Sequence, residues 1–154
     1  MSFGDLYHPR VLELAADIPH VGRLPAPAGS ATKVSKLCGS VVTVDIAFEG
    51  GKVSAIAVEP KACALGQAST AVLAMNALGA TAEELVAARD GLRAMLREGA
   101  APPRGRFWEL RHLEGVRDYP SRHASTLLAF EAAVEAAHAA LATAPPLSGS
   151  AAPR

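Results

Sequence analysis

The stretch Ser40–Val58, SVVTVDIAFEGGKVSAIAV, decides the fold. Ser40 to Phe48 is dense in Val, Thr and Ile, whose branched side chains suit a pleated, half-buried surface. Glu49-Gly50-Gly51-Lys52 interrupts the run, and Val53 to Val58 resumes it, as a β-hairpin requires. With Gly50-Gly51 as a two-residue turn, paired residue numbers sum to 101, so Glu49 faces Lys52 and Val44 faces Ala57. Extended beyond the hairpin, this register sets Cys38 opposite Cys63 at one end of the sheet. Pro60 cannot donate to a ladder, and a three-residue loop would shift the pairing by one. The closeness of the two cysteines is therefore a firmer expectation than the register.

On the N-terminal side, Ala31 to Leu37 reads as a first strand, preceded by a Pro/Gly-rich connector over Pro19 to Gly29. Before that, Leu6, Val11, Leu12, Leu14 and Ala15 predict a helix over about Asp5 to Asp17, with Pro9 in its first turn or outside it. On the C-terminal side the pattern turns helical. Ala64 to Leu78 ends at Gly79, and Thr81 to Glu84 is a capping box opening a helix to about Glu98. A loop over Gly99 to Gly105, a short helix over Phe107 to Leu113, and an alanine-rich helix from about Ser125 to Leu141 complete the order. Helices that follow a hairpin without alternating βα units imply an α+β fold: a small antiparallel sheet of about three strands with helices packed on one face. Residues 1–142 form one domain in this reading, and 143–154 a disordered tail.

A chain of 154 residues buries enough apolar surface as one domain to fold without a disulfide framework. Alanine accounts for 33 residues, which favours closely packed helices over a bulky core. The 15 basic and 15 acidic side chains cancel and are spread along the chain, so no polyanionic partner is indicated and nucleic acid is set aside. The uncharged run Ala62 to Ala82 is broken by Gly, Ser, Thr, Gln and Asn and has too few Leu, Ile or Phe for a membrane span. The polar start, with Asp5 and Arg10, is no signal peptide. A cytoplasmic chain follows, in which two cysteines are thiols or ligands rather than a structural bridge.

Cys63 stands just before a helix, where backbone N–H groups and the helix dipole favour a thiolate, and Lys61 adds positive charge. Two thiols side by side at a sheet end can share a metal or accept sulfur in turn. His8, His20, His112 and His138 show no ligand spacing, and the chain carries no phosphate-binding loop or zinc-ribbon pattern.

Leu37-Cys38-Gly39-Ser40 before the hairpin, and Ala62-Cys63-Ala64-Leu65-Gly66-Gln67-Ala68-Ser69 opening a helix, resemble the U-type iron–sulfur cluster assembly scaffolds: IscU, SufU and the N-terminal domain of NifU. Ile18 to Leu24 resembles that family's N-terminal Pro-x-x-x-Gly-x-Leu segment with one residue missing. Leu113 to Arg122 resembles the insertion of the SufU-like branch. The resemblance implies a SufE/NifU-like fold and a scaffold or carrier rather than an enzyme. It implies metal, cluster or sulfur held by Cys38 and Cys63, with Ser40, Ser125 and His123 as further candidates around them. Ser40 stands where the family carries an Asp, and Ser125 where it carries a third cysteine. Ala124 replaces a histidine of the IscU branch, leaving His123 as the neighbouring imidazole. The cargo implied is an iron–sulfur cluster, iron or zinc. The implied partners are a SufS-like cysteine desulfurase as sulfur donor and apo iron–sulfur client proteins. The two serine replacements also support another reading, a degenerate paralogue that binds a desulfurase or client as adaptor or regulator without metal.

Overall fold

The computed structural model describes residues 8–143. The elements run α1 (Pro9–Ala16), β1 (Gly29–Val34), β2 (Val41–Glu49), β3 (Lys52–Lys61), α2 (Ala64–Asn76), α3 (Ala82–Glu98), 3-10 segments over Gly105–Asp118 and Pro120–Arg122, and α4 (His123–Thr143). The three strands form one antiparallel sheet in the order β1-β2-β3, with the helices on one face. Among the described residues no helix is long and apolar enough to cross a membrane. Thr143 closes α4, and residues 144–154 of the expected tail, like the expected helical start before residue 8, lie outside the described residues.

The Gly50-Gly51 turn is the left-handed two-residue type: φ is 62° and 80° at the two glycines, which only glycine adopts without strain. Glu49 faces Lys52 and Phe48 faces Val53 as expected. A β-bulge then leaves Ser54 unpaired, so that Ala47 faces Ala55 and Val44 faces Val58 rather than Ala57. The bulge has a packing reason. It sets Val44 and Ile46 beside Val58 and Ile56, all four buried, on the face that meets the helices. The ladder ends at the pair Val41 and Lys61, so Cys38 and Cys63 are not ladder partners. Pro60 is tolerated because β3 is an edge strand. Its neighbour of like orientation, Val58, donates its N–H outward to the His20 carbonyl at 2.9 Å and accepts from the Gly22 N–H at 2.9 Å.

β1 ends three residues earlier than the sequence suggests, because Ser35–Ser40 fold into a closed turn. The Ser35 N–H donates to the Ser40 carbonyl and the Gly39 N–H to the Ser35 carbonyl, both at 2.8 Å, with Gly39 at a left-handed φ of 74°. Cys38 therefore sits in a turn at the same sheet end where β3 runs into α2.

α4 lies directly across β1. A Cβ on Gly29 would collide with the Ala136 carbonyl oxygen and come within 2.6 Å of the Ala140 nitrogen, so the close approach needs a glycine in the strand opposite alanines in the helix. This is the use made of the alanine content. On the other face, Asp45 is fully buried under the Pro/Gly connector, where it accepts from Arg23 Nε (2.7 Å), Arg23 Nη2 (3.0 Å), Ser30 Oγ (2.6 Å) and the Leu24 N–H (3.0 Å). Burial alone would raise its carboxyl, yet the hydrogen bonds from Arg23, Ser30 and Leu24 outweigh it and hold the pKa below the ordinary value.

The capping box predicted for α3 is complete, Thr81 and Glu84 exchanging side-chain and backbone hydrogen bonds at 3.0 and 3.1 Å. The short helix expected over Phe107–Leu113 is a longer 3-10 segment, and Arg106 at its start donates to the Asn76, Leu78 and Gly79 carbonyls at the end of α2.

Candidate functional site

The site occupies the sheet end where the β1–β2 turn, the start of α2 and the start of α4 converge. Cys38 is exposed, but its sulfur sits against buried hydroxyls: Ser40 Oγ at 3.1 Å and Ser35 Oγ at 3.5 Å. The Ser40 hydroxyl, then the Ser35 hydroxyl and the Ser40 N–H, stabilise the thiolate and bring the Cys38 pKa down to about 7. Partial burial opposes the shift, and the Ser125 hydroxyl reinforces it. At neutral pH a large share of Cys38 is thus ready to act as nucleophile or ligand.

Cys63 is the N-cap residue of α2, as expected from its place before the helix, with extended backbone. Its side chain caps no helix N–H. The sulfur instead lies 3.7 Å from Ser125 Oγ, and the Ser125 hydroxyl donates to the Arg122 carbonyl at 3.2 Å. Ser125 is completely buried beside the Cys63 sulfur, and its hydroxyl also adds to the stabilisation of the Cys38 thiolate, so it stands between the segments that carry the two cysteines. Gly66 makes this approach: a Cβ there would stand 3.0 Å from the Ser125 carbonyl oxygen and 2.8 Å from Ala62 Cβ, wedging α2 off the start of α4.

His123 does not join the cluster. Its ring is buried, and Nε2 lies 3.1 Å from both the Val116 and Arg117 carbonyls, tying α4 to the end of the preceding 3-10 segment. Among the described residues no group of three or more His, Cys, Asp or Glu side chains is placed to share a metal ion. Of the five residues singled out from sequence, four gather at the sheet end: Cys38, Ser40, Cys63 and Ser125.

No family model matches the sequence. A crystal structure of a nitrogen-fixing NifU-like protein (N-terminal) from Brucella abortus is 48% identical, with a TM-score of 0.90 over 92% of this chain and 99% of that one. The chain belongs to the NifU-like N-terminal family. Among curated proteins, the iron–sulfur cluster assembly scaffold protein IscU of Streptococcus pyogenes serotype M1 is 28% identical over 99 residues, 64% of this chain. The match spans 62% of that relative's length. A putative iron–sulfur cluster assembly scaffold protein for the SUF system from Fervidobacterium islandicum AW-1 shares the fold, with a TM-score of 0.77 at 21% identity over 85% of this chain and 96% of that one.

Two residues of this NifU-like site escaped the sequence reading. Ser35, inside the segment expected as the first strand, precedes Cys38 by three positions and touches it only because the chain reverses at Gly39. Gly66 stands in the quoted Cys63-Ala64-Leu65-Gly66 run. A glycine in the first turn of an otherwise apolar helix is a signal for close backbone approach.

Proposed function

We propose that this NifU-like chain serves iron–sulfur cluster assembly as a scaffold or carrier rather than an enzyme, holding metal, cluster or sulfur through Cys38 and Cys63. The observation that carries the reading is the gathering of two otherwise distant thiols at one sheet end, Cys63 beside the buried Ser125 hydroxyl that also helps to stabilise the Cys38 thiolate. A cytoplasmic setting suits it, since thiols stay reduced there.

Sulfur acceptance falls to Cys38. Its thiolate attacks the terminal sulfur of a donor persulfide, Cys38–S⁻ + R–S–SH → Cys38–S–SH + R–S⁻: one S–S bond breaks, one forms, and the donor leaves as thiolate. A cysteine desulfurase is the donor class, and apo iron–sulfur proteins are the recipients. As metal ligands the same two thiolates are strong donors, whereas Ser40 and Ser125 offer neutral hydroxyls, poor ligands at pH 7. One chain therefore supplies two of the four donors that a zinc or iron–sulfur site uses.

A second reading is favoured by the hydroxyls themselves. Ser40 and Ser125 are buried and hydrogen-bonded to the sulfurs, an arrangement complete without metal, as in an adaptor or regulator of a desulfurase or client. Iron, zinc and acid-labile sulfide in protein purified anaerobically, together with mass spectrometry after incubation with a desulfurase and cysteine, separate the two. Bound metal or a +32 Da adduct, lost in Cys38→Ser, supports the carrier. Neither adduct nor metal, with desulfurase binding retained, supports the adaptor.

A further inference from the structure

We propose that the cleft between the start of α1 and the Gly105–Asp118 3-10 segment binds the diphosphate group of a small molecule, held by Arg104, Arg111 and His8. The proposal goes beyond the carrier reading and uses neither cysteine. The cleft has a volume of about 460 Å³, inside the range of roughly 300–1,000 Å³ usual for small-molecule sites, with His8, Arg104, Arg111, His112 and Glu114 in its walls. Its basic groups come from separate places in the chain: His8 is the N-cap residue of α1, Arg104 precedes the 3-10 segment, and Arg111 and His112 lie within it. The equal numbers of acidic and basic residues in the whole chain conceal this local excess.

The positive charge of the cleft is uncompensated. Arg104 and Arg111 have no ion-pair partner among the described residues. The neighbouring carboxylates are already engaged: Glu109 accepts from Arg10 at 2.7 and 3.1 Å and stands 3.6 Å from His112 Nε2, and Glu114 pairs with Arg117 at 2.7 Å. Arg111 is held in place, its guanidinium 5.3 Å from the centre of the Trp108 ring and its Nε donating to the Trp108 carbonyl at 3.3 Å. The remaining N–H groups of that fork are left for a ligand. His8 Nδ1 accepts the Arg10 N–H at 3.0 Å, so the neutral ring carries its own N–H on Nε2, free to donate. The His8 ring stacks on His112 with centroids 5.5 Å apart. His112 is harder to protonate than an ordinary histidine, first through partial burial and then through positive His8, Arg10 and Arg111, with Glu109 opposing. An anion relieves such a field. A planar carboxylate is satisfied by one arginine fork, whereas donors arriving from several segments suit tetrahedral phosphate, whose oxygens point in several directions.

The test is calorimetric titration of the full chain with pyrophosphate at low ionic strength, with tryptophan fluorescence alongside, because Trp108 is the chain's only tryptophan and Arg111 packs on its ring. The expected result is saturable binding that shifts the Trp108 emission. Arg104→Gln and Arg111→Gln should each weaken it about tenfold, the loss of one charged hydrogen-bond donor. Lys52→Gln, an equal change of charge at the start of β3, should leave it within about twofold. Circular dichroism confirms that each variant is folded. Metal-free ADP and ATP identify the source of the group: affinity above that of pyrophosphate assigns a nucleotide, and affinity at or below it the free diphosphate. No binding at millimolar pyrophosphate, or binding unchanged in Arg104→Gln with Arg111→Gln, overturns the proposal. Citrate or an acidic peptide that binds at least as tightly as pyrophosphate also overturns it, the cleft then being a surface for carboxylates. None of these outcomes bears on the carrier reading, which the persulfide adduct on Cys38 tests separately.

Discussion

Ser40→Asp combined with Ser125→Cys should convert the two-thiolate site into a four-ligand site within a single chain. In a tetrahedral zinc site with Zn–S near 2.3 Å, two sulfurs stand about 3.8 Å apart, and a sulfur and a carboxylate oxygen about 3.6 Å. Ser125 Oγ lies 3.7 Å from Cys63 Sγ, already at that edge length, and Ser40 Oγ lies 3.1 Å from Cys38 Sγ, a gap that the longer Asp side chain can open. Ser125 is fully buried, so its thiol replacement costs only about 1 kcal/mol of overpacking. A complete structural zinc site is worth roughly 10–16 kcal/mol. If the two added ligands contribute about a third of that, the gain is on the order of 4–5 kcal/mol, or roughly a thousandfold in affinity. Competition with a chromophoric chelator measures the affinity, and native mass spectrometry the stoichiometry. The double variant should bind one zinc per chain as a monomer. Unchanged affinity in a folded double variant would refute the placement of Ser40 and Ser125 at the metal position and, with it, the geometry argued for this sheet end.

Three further outcomes follow from the same structure. The alkylation rate of Cys38, followed against pH in Cys63→Ala, should rise with an apparent pKa of about 7, and Ser40→Ala should move that midpoint upward; a midpoint unmoved by Ser40→Ala would remove the hydroxyl as its cause. Gly29→Ala drives a methyl group into the backbone of α4, costing about 1–3 kcal/mol and offset by a few tenths to 1 kcal/mol from the unfolded chain, so Tm should fall by about 3–8 °C in calorimetry. Asp45→Asn should cost about 2 kcal/mol in urea unfolding at pH 7. Because the folded pKa of Asp45 lies below its unfolded value, its contribution is present above about pH 4 and is lost as the pH falls through the folded pKa, so the gap between parent and variant should close in acid.

How far the site was legible depended on whether its parts lie in one local segment. Cys38 and Cys63 could be brought together from sequence because a hairpin is a local object: Gly50-Gly51 sets the turn, and the arms carry their residues outward in step. Both cysteines come to the same sheet end, although Cys38 arrives on a turn rather than a strand and the pairing shifts at Ser54. Ser125 was located by resemblance alone, since it is 62 residues from Cys63 and no local pattern links them. His123 illustrates the opposite failure. One position along a helix turns a side chain by about 100°, and that rotation takes the ring to the Val116 and Arg117 carbonyls instead of the cysteines.

Residue type and spacing by themselves determined the hairpin, the capping box at Thr81 and Glu84 and the helix-rich second half, because each follows from short-range backbone preference and the alternation of apolar side chains. Only the tertiary structure decided the acidity of Cys38, the placement of Ser125 beside Cys63 and the isolation of His123. These depend on distances of 3–4 Å between segments far apart in the chain, which are set by how closely α2 and α4 approach over Gly66 and how α4 seats on Gly29. Such distances follow from the packing of whole elements, and a hydroxyl displaced by even 1 Å would no longer stabilise the thiolate beside it.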